Sequence, residues 1–330
     1  MPLPSANGWA NLATRFCAEE VILLLNDVPI IEVAGAACVD MTLRDVPAEW
    51  MSGASGENYL AAPLRLLAKP ADVHLGGNGG AAAYVMGKLA AHVRLNAPVG
   101  QDTLGMLVRG WLADAGVDII TPPGDSTMLA ITAATGDGRR LGTLQHPGPP
   151  IDWRLSADSD AAWLLVAAFG QVTADDFTKA CQAIASYRGT AVLDSGVGWM
   201  RDVAPARMHE LWRHVDVLIG TVEELAHWTG CTELPAIAEF VLRHGPERVV
   251  IKMGAEGAAW QIADGSFAHQ PALPIAKPDV SIGAGDGFNG TLIVSLARGE
   301  SMEQAVTAAQ RVAAKVVETG RGVLGWQGTP

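Results

Sequence analysis

The sequence predicts an α/β protein: a mostly parallel sheet covered on both faces, with a small β-rich flap inserted into it. Two observations predict this. Short apolar runs that end in Gly or Asp alternate with segments of helical period along most of the 330 residues, and such alternation places helices on both faces of a parallel sheet. Three stretches, Val39–Asp45, Ala71–Leu75 and Met128–Gln145, break that alternation. The last reads as a hairpin, with Thr135–Gly138 turning between Met128–Ala134 and Arg139–Gln145.

In chain order, residues 1–29 read as an N-terminal extension, a helix over Trp9–Leu25 followed by the turn-like Asn26–Pro29. Strands are expected at Ile30–Gly35, His92–Asn96, Trp163–Ala167, Ala191–Asp194, Val215–Ile219 and Arg248–Lys252. Helices are expected at Gly80–Leu89, Leu104–Ala115, Ala174–Tyr187, Ala206–His214, Thr221–Thr229, Pro235–His244, Gly287–Ala297 and Met302–Glu318. Residues 30–330 are read as a single domain, with a discontinuous flap from about 39–47, 70–77 and 127–146. The Pro-rich Pro147–Pro150 reads as a rigid loop, and the insertion Glu49–Pro70 carries no legible pattern.

Composition narrows the function classes. Hydrophobic residues make up 49% and charged residues 18%, enough to bury a large core. The net charge of −12 opposes broad binding of nucleic acid. The four cysteines, Cys17, Cys38, Cys181 and Cys231, show no CxxC spacing, and the eight histidines show no HExxH; a zinc site is not supported, and free thiols in a reducing compartment are expected. The apolar run Val21–Leu25 is too short for a membrane span or a signal core, so the expected location is cytoplasmic. Ser195 lacks the GxSxG elbow, and neither GxGxxG nor GxxxxGK[ST] occurs. Most of the ten tryptophans are assigned to packing.

The strongest local chemical signal is Ser281-Ile282-Gly283-Ala284-Gly285-Asp286-Gly287-Phe288, which opens a long helix of small residues. Gly283, Ala284 and Gly285 let the backbone turn tightly against a ligand. The first amides of the following helix lack intrahelical partners and carry the positive end of its dipole, which suits an anion. Asp286 at the rim could take a proton from a hydroxyl as that oxygen attacks a phosphate. The same residues also suit an ordinary helix cap. Asp40 is placed at the end of the first apolar strand, where open α/β sheets put ligand sites, though a turn Asp capping its own backbone reads equally from the sequence. Asn78, between glycines, could contact a ligand or occupy a left-handed turn.

Taken together, these blocks resemble the ribokinase-like, or PfkB, carbohydrate kinases over roughly residues 30–322. The resemblance rests on Gly76-Gly77-Asn78-Gly79 before an alanine-rich helix, then Val99-Gly100-Gln101-Asp102 with Gly105 and Gly116-Val117-Asp118. Asp194, Asp216, Thr221–Glu224 and Trp228-Thr229-Gly230 follow, then Val249–Gly257, then Ile282–Phe288, the most specific block. It implies a ribokinase-like three-layer α/β core with a β lid, and transfer of phosphate from ATP, with Mg²⁺, to a hydroxyl of a sugar or nucleoside. By resemblance Asp286 is the base and Gly283, Ala284 and Gly285 the anion hole; Asp40, Gly76, Gly77 and Asn78 contact the substrate. Lys252, Gly254, Gly257 and Thr221 are assigned to ATP, and Glu224 to the metal.

The sequence departs from the family pattern in places. Thr221 replaces an asparagine of the Asn-x-x-Glu motif, Ala81 replaces a second asparagine, and Val280 stands where an aspartate is usual, which puts monovalent-cation activation in doubt. Lys252 stands where a threonine is common; it could reach ATP phosphates or end a strand in solvent. Arg44, Lys88 and Arg139 are candidates for gripping a phosphosugar. A homodimer through the lid edge is expected. A carbohydrate kinase, a nucleoside kinase and a non-catalytic sugar- or nucleotide-binding protein are the three readings carried forward.

Overall fold

The structure, a computed structural model, describes residues 29–48, 66–136, 140–167, 174–196, 203–275 and 282–328. The N-terminal extension, most of the Glu49–Pro70 insertion, Arg139, Asp279 and Val280 lie outside the described residues.

Strand β1 (Ile31–Ala34) leads at once into β2 (Cys38–Leu43), and β3 (Asp72–Gly76) returns into helix α1 (Asn78–Lys88). There follow β4 (Val93–Asn96), α2 (Thr103–Asp114), β5 (Val117–Ile119) and the hairpin β6 (Met128–Ala134) and β7 (Arg140–His146). Next come α3 (Trp153–Ala157), β8 (Trp163–Val166), α4 (Ala174–Ser186), β9 (Thr190–Asp194), α5 (Pro205–Trp212), β10 (Val217–Thr221), α6 (Val222–Thr229) and α7 (Leu234–Arg243). The chain closes with β11 (Arg248–Lys252), β12 (Ala258–Ile262), β13 (Ala268–Gln270), α8 (Ala284–Ala297) and α9 (Met302–Thr319).

Nine strands form the larger sheet in the order β13-β12-β11-β10-β9-β8-β1-β4-β5, all running the same way except β12, which pairs antiparallel with both β11 and β13 at one edge. Its strands are short apolar runs buried on both faces. Ile31 and Val33 join a core with Met86 of α1, Leu112 of α2, Leu292 of α8 and Val316 of α9. Ala34, Leu164 and Leu193 point the other way, toward Phe177 of α4, Trp212 of α5 and Trp228 of α6. This is the three-layer architecture that the alternation predicts. Helix α8 is buried continuously from Gly287 to Leu296, the mark of a helix enclosed by other elements rather than lying on a surface.

The smaller sheet has the order β3-β2-β6-β7, with β2 parallel to β6 and the other pairs antiparallel. Asp40 therefore does not end the first strand, as its sequence position suggested. It is the third residue of β2, inside the small sheet, opposite His74 and Ala130. Gly35–Ala37 separate β1 from β2, so the strand expected at Ile30–Gly35 lies in the larger sheet and the stretch expected in the flap, Val39–Asp45, in the smaller one. The short strands β5, β12 and β13 and the single-turn-length α3 were not expected, because runs of three to five residues carry little period.

The two sheets are joined where glycines let backbones touch. A Cβ on Gly79 would stand 2.8 Å from the Gly35 backbone, and the Gly80 amide donates to the Ala36 carbonyl at 2.9 Å. Farther out, the Arg44 guanidinium on β2 donates to the Asp72 carboxylate on β3 and, at 2.7 Å, to the Gly320 carbonyl after α9. Replacing Gly79 by Ala should cost about 1–3 kcal/mol through overpacking. Gly110, exposed in α2 with no atom within 4 Å of a would-be Cβ, should instead gain about 0.5–1 kcal/mol as Ala; urea denaturation of the two variants measures both.

Candidate active site

The carboxyl ends of β9, β10 and β11 place Asp194, Thr221 and Lys252 side by side, with the N-terminus of α8 against them. Gly283, the N-cap, has φ 78°, a left-handed conformation that glycine adopts without strain, and no side chain caps the helix. The first helical bond runs from the Gly287 amide to the Gly283 carbonyl, 2.9 Å, which leaves the amides of Ala284, Gly285 and Asp286 outside the ladder. Asp286 is thus in the first turn of α8 and is not its cap, which removes the capping alternative.

Burial pushes the Asp286 carboxyl up to about 7, and the Asp194 carboxylate adds to the rise. Lys252 opposes it, while Asp40 and Glu224 push the same way. The helix N-terminus alone would favour the anion, so the neighbouring carboxylates and desolvation prevail. The residue still keeps some accessible surface. Its couplings also show that Asp40 of the small sheet and Glu224 beyond β10 approach the same point.

Beneath Asp286 lies a buried polar cluster. Lys252 Nζ stands 3.4 Å from Asp194 Oδ1 and 3.3 Å from Asn289 Oδ1, and Asn289 Nδ2 donates to Asp194 Oδ2 at 2.7 Å. The Lys252 and Asp194 side chains are only 14% and 5% exposed, so Lys252 is not a strand end in solvent. Burial raises the Asp194 carboxyl above the ordinary range; Lys252 and Asn289 pull it down and Glu224 pushes it up. Asn289 escaped the sequence reading, although a polar residue three positions after Asp286 in an otherwise apolar helix was the available signal. Asp194 was noticed only as part of a motif, yet it ends an apolar strand at the ligand edge of the sheet.

Thr221 and Glu224 form a capping box at the start of α6: the Thr221 amide donates to Glu224 Oε2 at 2.8 Å, and the Glu224 amide to Thr221 Oγ1 at 3.2 Å. The other carboxylate oxygen, Oε1, is directed toward Gly196, where a Cβ would stand 3.6 Å from it. Gly254 (φ 57°) and Gly257 (φ 103°) turn the chain from β11 to β12. A Cβ on Gly257 would stand 2.1 Å from the Gln270 carbonyl.

On the facing sheet, a Cβ on Gly76 would stand 2.2 Å from the Asp40 carboxyl, so glycine makes room for that group. Cys38 Sγ donates to Asp40 Oδ1 at 3.3 Å. Burial raises the Cys38 thiol well above its usual range, and Asp40 and Asp286 reinforce the shift. Gly77, with φ 76°, takes the left-handed turn and caps α1. Asn78 is therefore the first helical residue and exposes its side chain at the junction of the sheets.

The other cationic candidates are engaged elsewhere. Lys88 pairs with Asp114 at 2.7 Å at the far end of α1 from Asn78, and Arg44 is held by Asp72 and Gly320. Ser195 is buried and donates to the Ile219 carbonyl at 3.0 Å.

This fold and site define a ribokinase-like kinase. Residues 62–325 match the pfkB family of carbohydrate kinases, and the chain belongs to that family. Aminoimidazole riboside kinase of Salmonella typhimurium is 26% identical over 250 residues, 70% of this chain and 77% of the relative. Cytidine kinase of Thermococcus kodakarensis is 31% identical over 102 residues, 30% of this chain and 36% of the relative. 1-Phosphofructokinase of Escherichia coli is 38% identical over 100 residues, 28% of this chain and 31% of the relative. The matches thus span about a third of the last two relatives. Among solved structures, ribokinase of Arabidopsis thaliana complexed with ribose and ATP superposes with a TM-score of 0.72 at 22% identity, covering 90% of this chain and 95% of that one. The nucleoside kinase of Methanocaldococcus jannaschii gives 0.71 at 16% identity, covering 90% and 94%.

Because the folded Asp286 carboxyl lies above its unfolded value near 3.8, its protonation favours folding. That contribution is complete below the unfolded value and lost as pH rises through about 7. Asp286→Asn should therefore be more stable than the natural chain at pH 8.5, by about 1–2 kcal/mol after allowance for solvent access, with the gap narrowing as pH falls below about 7 and closing only below about 3.8. Thermal denaturation of both chains across that range measures the difference.

Proposed function

We propose that the protein transfers the γ-phosphate of ATP to a hydroxyl of an unphosphorylated sugar or nucleoside, with Asp286 as the base. The observation that carries this reading is the coincidence of a raised carboxyl and three free helix amides at one point, facing a second carboxylate, Asp40, across the two sheets. Asp40 and Asn78, with the backbone of Gly76 and Gly77, hold the acceptor's hydroxyls; a carboxylate can accept two of them. Asp286 takes the acceptor's proton, the acceptor oxygen forms a bond to the γ-phosphorus, the bond to the β–γ bridging oxygen breaks, and ADP leaves. The amides of Gly283–Gly285 and their neighbours receive the charge on the migrating group.

On the nucleotide side, Lys252, Gly254, Gly257 and Thr221 form the expected ATP contacts. Glu224 fits a role toward Mg²⁺, since one of its oxygens is tied to Thr221, the other lies toward Gly196, and its charge is felt at Asp286. Among the described residues no three His, Cys, Asp or Glu side chains group to hold a metal, which accords with an ion that takes most of its ligands from phosphates and water. When bound, Mg²⁺ would neutralise phosphate charge.

What supports an unphosphorylated acceptor is that, of the cationic candidates among the described residues, Arg44 and Lys88 are bound to partners in the protein; Arg139 lies outside the described residues. The names of two relatives, aminoimidazole riboside kinase and cytidine kinase, favour a riboside among such acceptors. For a homodimer, the face of the small sheet is the better candidate surface than the edge expected from the sequence: Val73, Met41, Ile131 and Leu144 form one row across all four strands, and Val73 and Leu144 are 41% and 70% exposed. Among the described residues no helix is long and apolar enough to cross a membrane.

A panel of sugars, sugar phosphates and nucleosides with ATP and Mg²⁺, read by ADP release, should show turnover on an unphosphorylated acceptor. Turnover on sugar phosphates alone would overturn the acceptor class, and thermal shifts without ADP release would favour a non-catalytic binding protein. Asp286→Asn should lower kcat by about 10²–10⁴ with ATP binding retained. The natural enzyme's kcat/KM should fall as pH drops through about 7, where Asp286 takes up its proton.

A further inference from the structure

We propose that Lys252 is a catalytic residue whose ammonium moves charge onto the migrating phosphoryl group, and that Asp194 and Asn289 are the positioning residues that hold it ready. The inference rests on the kinase reading above and goes past simple ATP binding. The geometry is specific. Lys252 ends β11, in register with Thr221 of β10, and so projects from the ligand edge of the sheet. Among the described residues its ammonium has two acceptors, Asp194 Oδ1 at 3.4 Å and Asn289 Oδ1 at 3.3 Å. Both contacts are longer than the roughly 2.7–2.9 Å of a committed charge-assisted bond. An ammonium has three donors, and the first turn of α8 lies close by: a Cβ on Gly285 would stand 3.8 Å from Nζ. Nζ therefore lies beside the same turn whose amides are free.

The surrounding charge explains why a protein cation is needed there. Asp286, Asp194, Asp40 and Glu224 converge on this point with Lys252 opposing them. Four carboxylates would repel the nucleotide's phosphates. One ammonium among them, loosely held, offsets that repulsion and can shorten its contact as charge gathers on the phosphoryl oxygens.

The arrangement of holders is equally particular. Asn289 sits one turn after Gly285 on α8, and its amide nitrogen is spent on Asp194 at 2.7 Å, which turns its carbonyl oxygen to Lys252. Both of Asp194's neighbours donate to it, as suits an ionised carboxylate. The cluster thus tethers the lysine's head through two long contacts, which can give way to a shorter one to a phosphoryl oxygen. Because the interaction strengthens only as the phosphate migrates, its loss should appear in kcat more than in KM for ATP.

The test uses the full chain and the acceptor that supports turnover, with Asp286→Asn assayed beside the Lys252 variants. Lys252→Met, close in size, should lower kcat by about 10²–10³ while KM for ATP changes less than about fivefold. Lys252→Ala should lose activity similarly and regain at least tenfold when methylammonium or ethylammonium is added, with no gain from methanol. Lys252→Arg keeps the charge and guards against loss through misfolding; it should retain more activity than Met. If Lys252→Met folds, as judged by its thermal transition, and keeps kcat within threefold, the proposal is overturned. Loss confined to KM, or a Lys252→Ala variant indifferent to added amines, overturns it as well. If Asp286→Asn is fully active, or no acceptor is phosphorylated, the kinase reading itself fails, an outcome distinct from failure at Lys252.

Discussion

The site depends on one electrostatic constraint: a helix whose N-terminus must attract an anion opens into a crevice already crowded with carboxylates. Gly283 turns the chain so that the free amides of α8 face the crevice. Asp286 in that first turn would by itself be held as an anion. The nearness of Asp194, Asp40 and Glu224, and the loss of water around it, instead lift it to about 7. A carboxyl in that range can both exist as a base at neutral pH and accept a proton without a large penalty.

Packing explains why this arrangement can hold. Helix α8 is enclosed from Gly287 to Leu296 by α1, α9 and the sheet, so the open first turn is held in place by the buried length that follows it. The small sheet is carried on the glycine contact between Gly35 and Gly79 and is tied to the end of α9 through Arg44. Asp40 is therefore delivered to the crevice from an element anchored on both sides.

The repeating period was readable because each buried strand and each amphipathic helix is a local pattern. Strands such as Arg248–Lys252 and helices such as Met302–Thr319 stand where their own residues put them. The strand near Asp216 begins two residues later than its apolar run, since Val215 still closes the turn after α5, its amide bonded to the Trp212 carbonyl. The break between β1 and β2 was legible at Gly35, although Ala36 and Ala37 look as apolar as the strands on either side. The antiparallel edge strands were too short to show a period.

By itself the sequence determined the α/β alternation, the glycine turn before a helix, and the carboxylate within it, because these depend on neighbours in the chain. Only the tertiary structure decided that Asp40 sits third in its strand and faces the crevice near Asp286, that Thr221 and Glu224 close on each other, and that Lys252, Asp194 and Asn289 meet beneath Asp286. Those residues lie on separate strands and helices, 95 positions apart in the case of Asp194 and Asn289. Their charges act through space, and no local pattern in the chain records which distant groups a folded sheet will bring within a few ångströms.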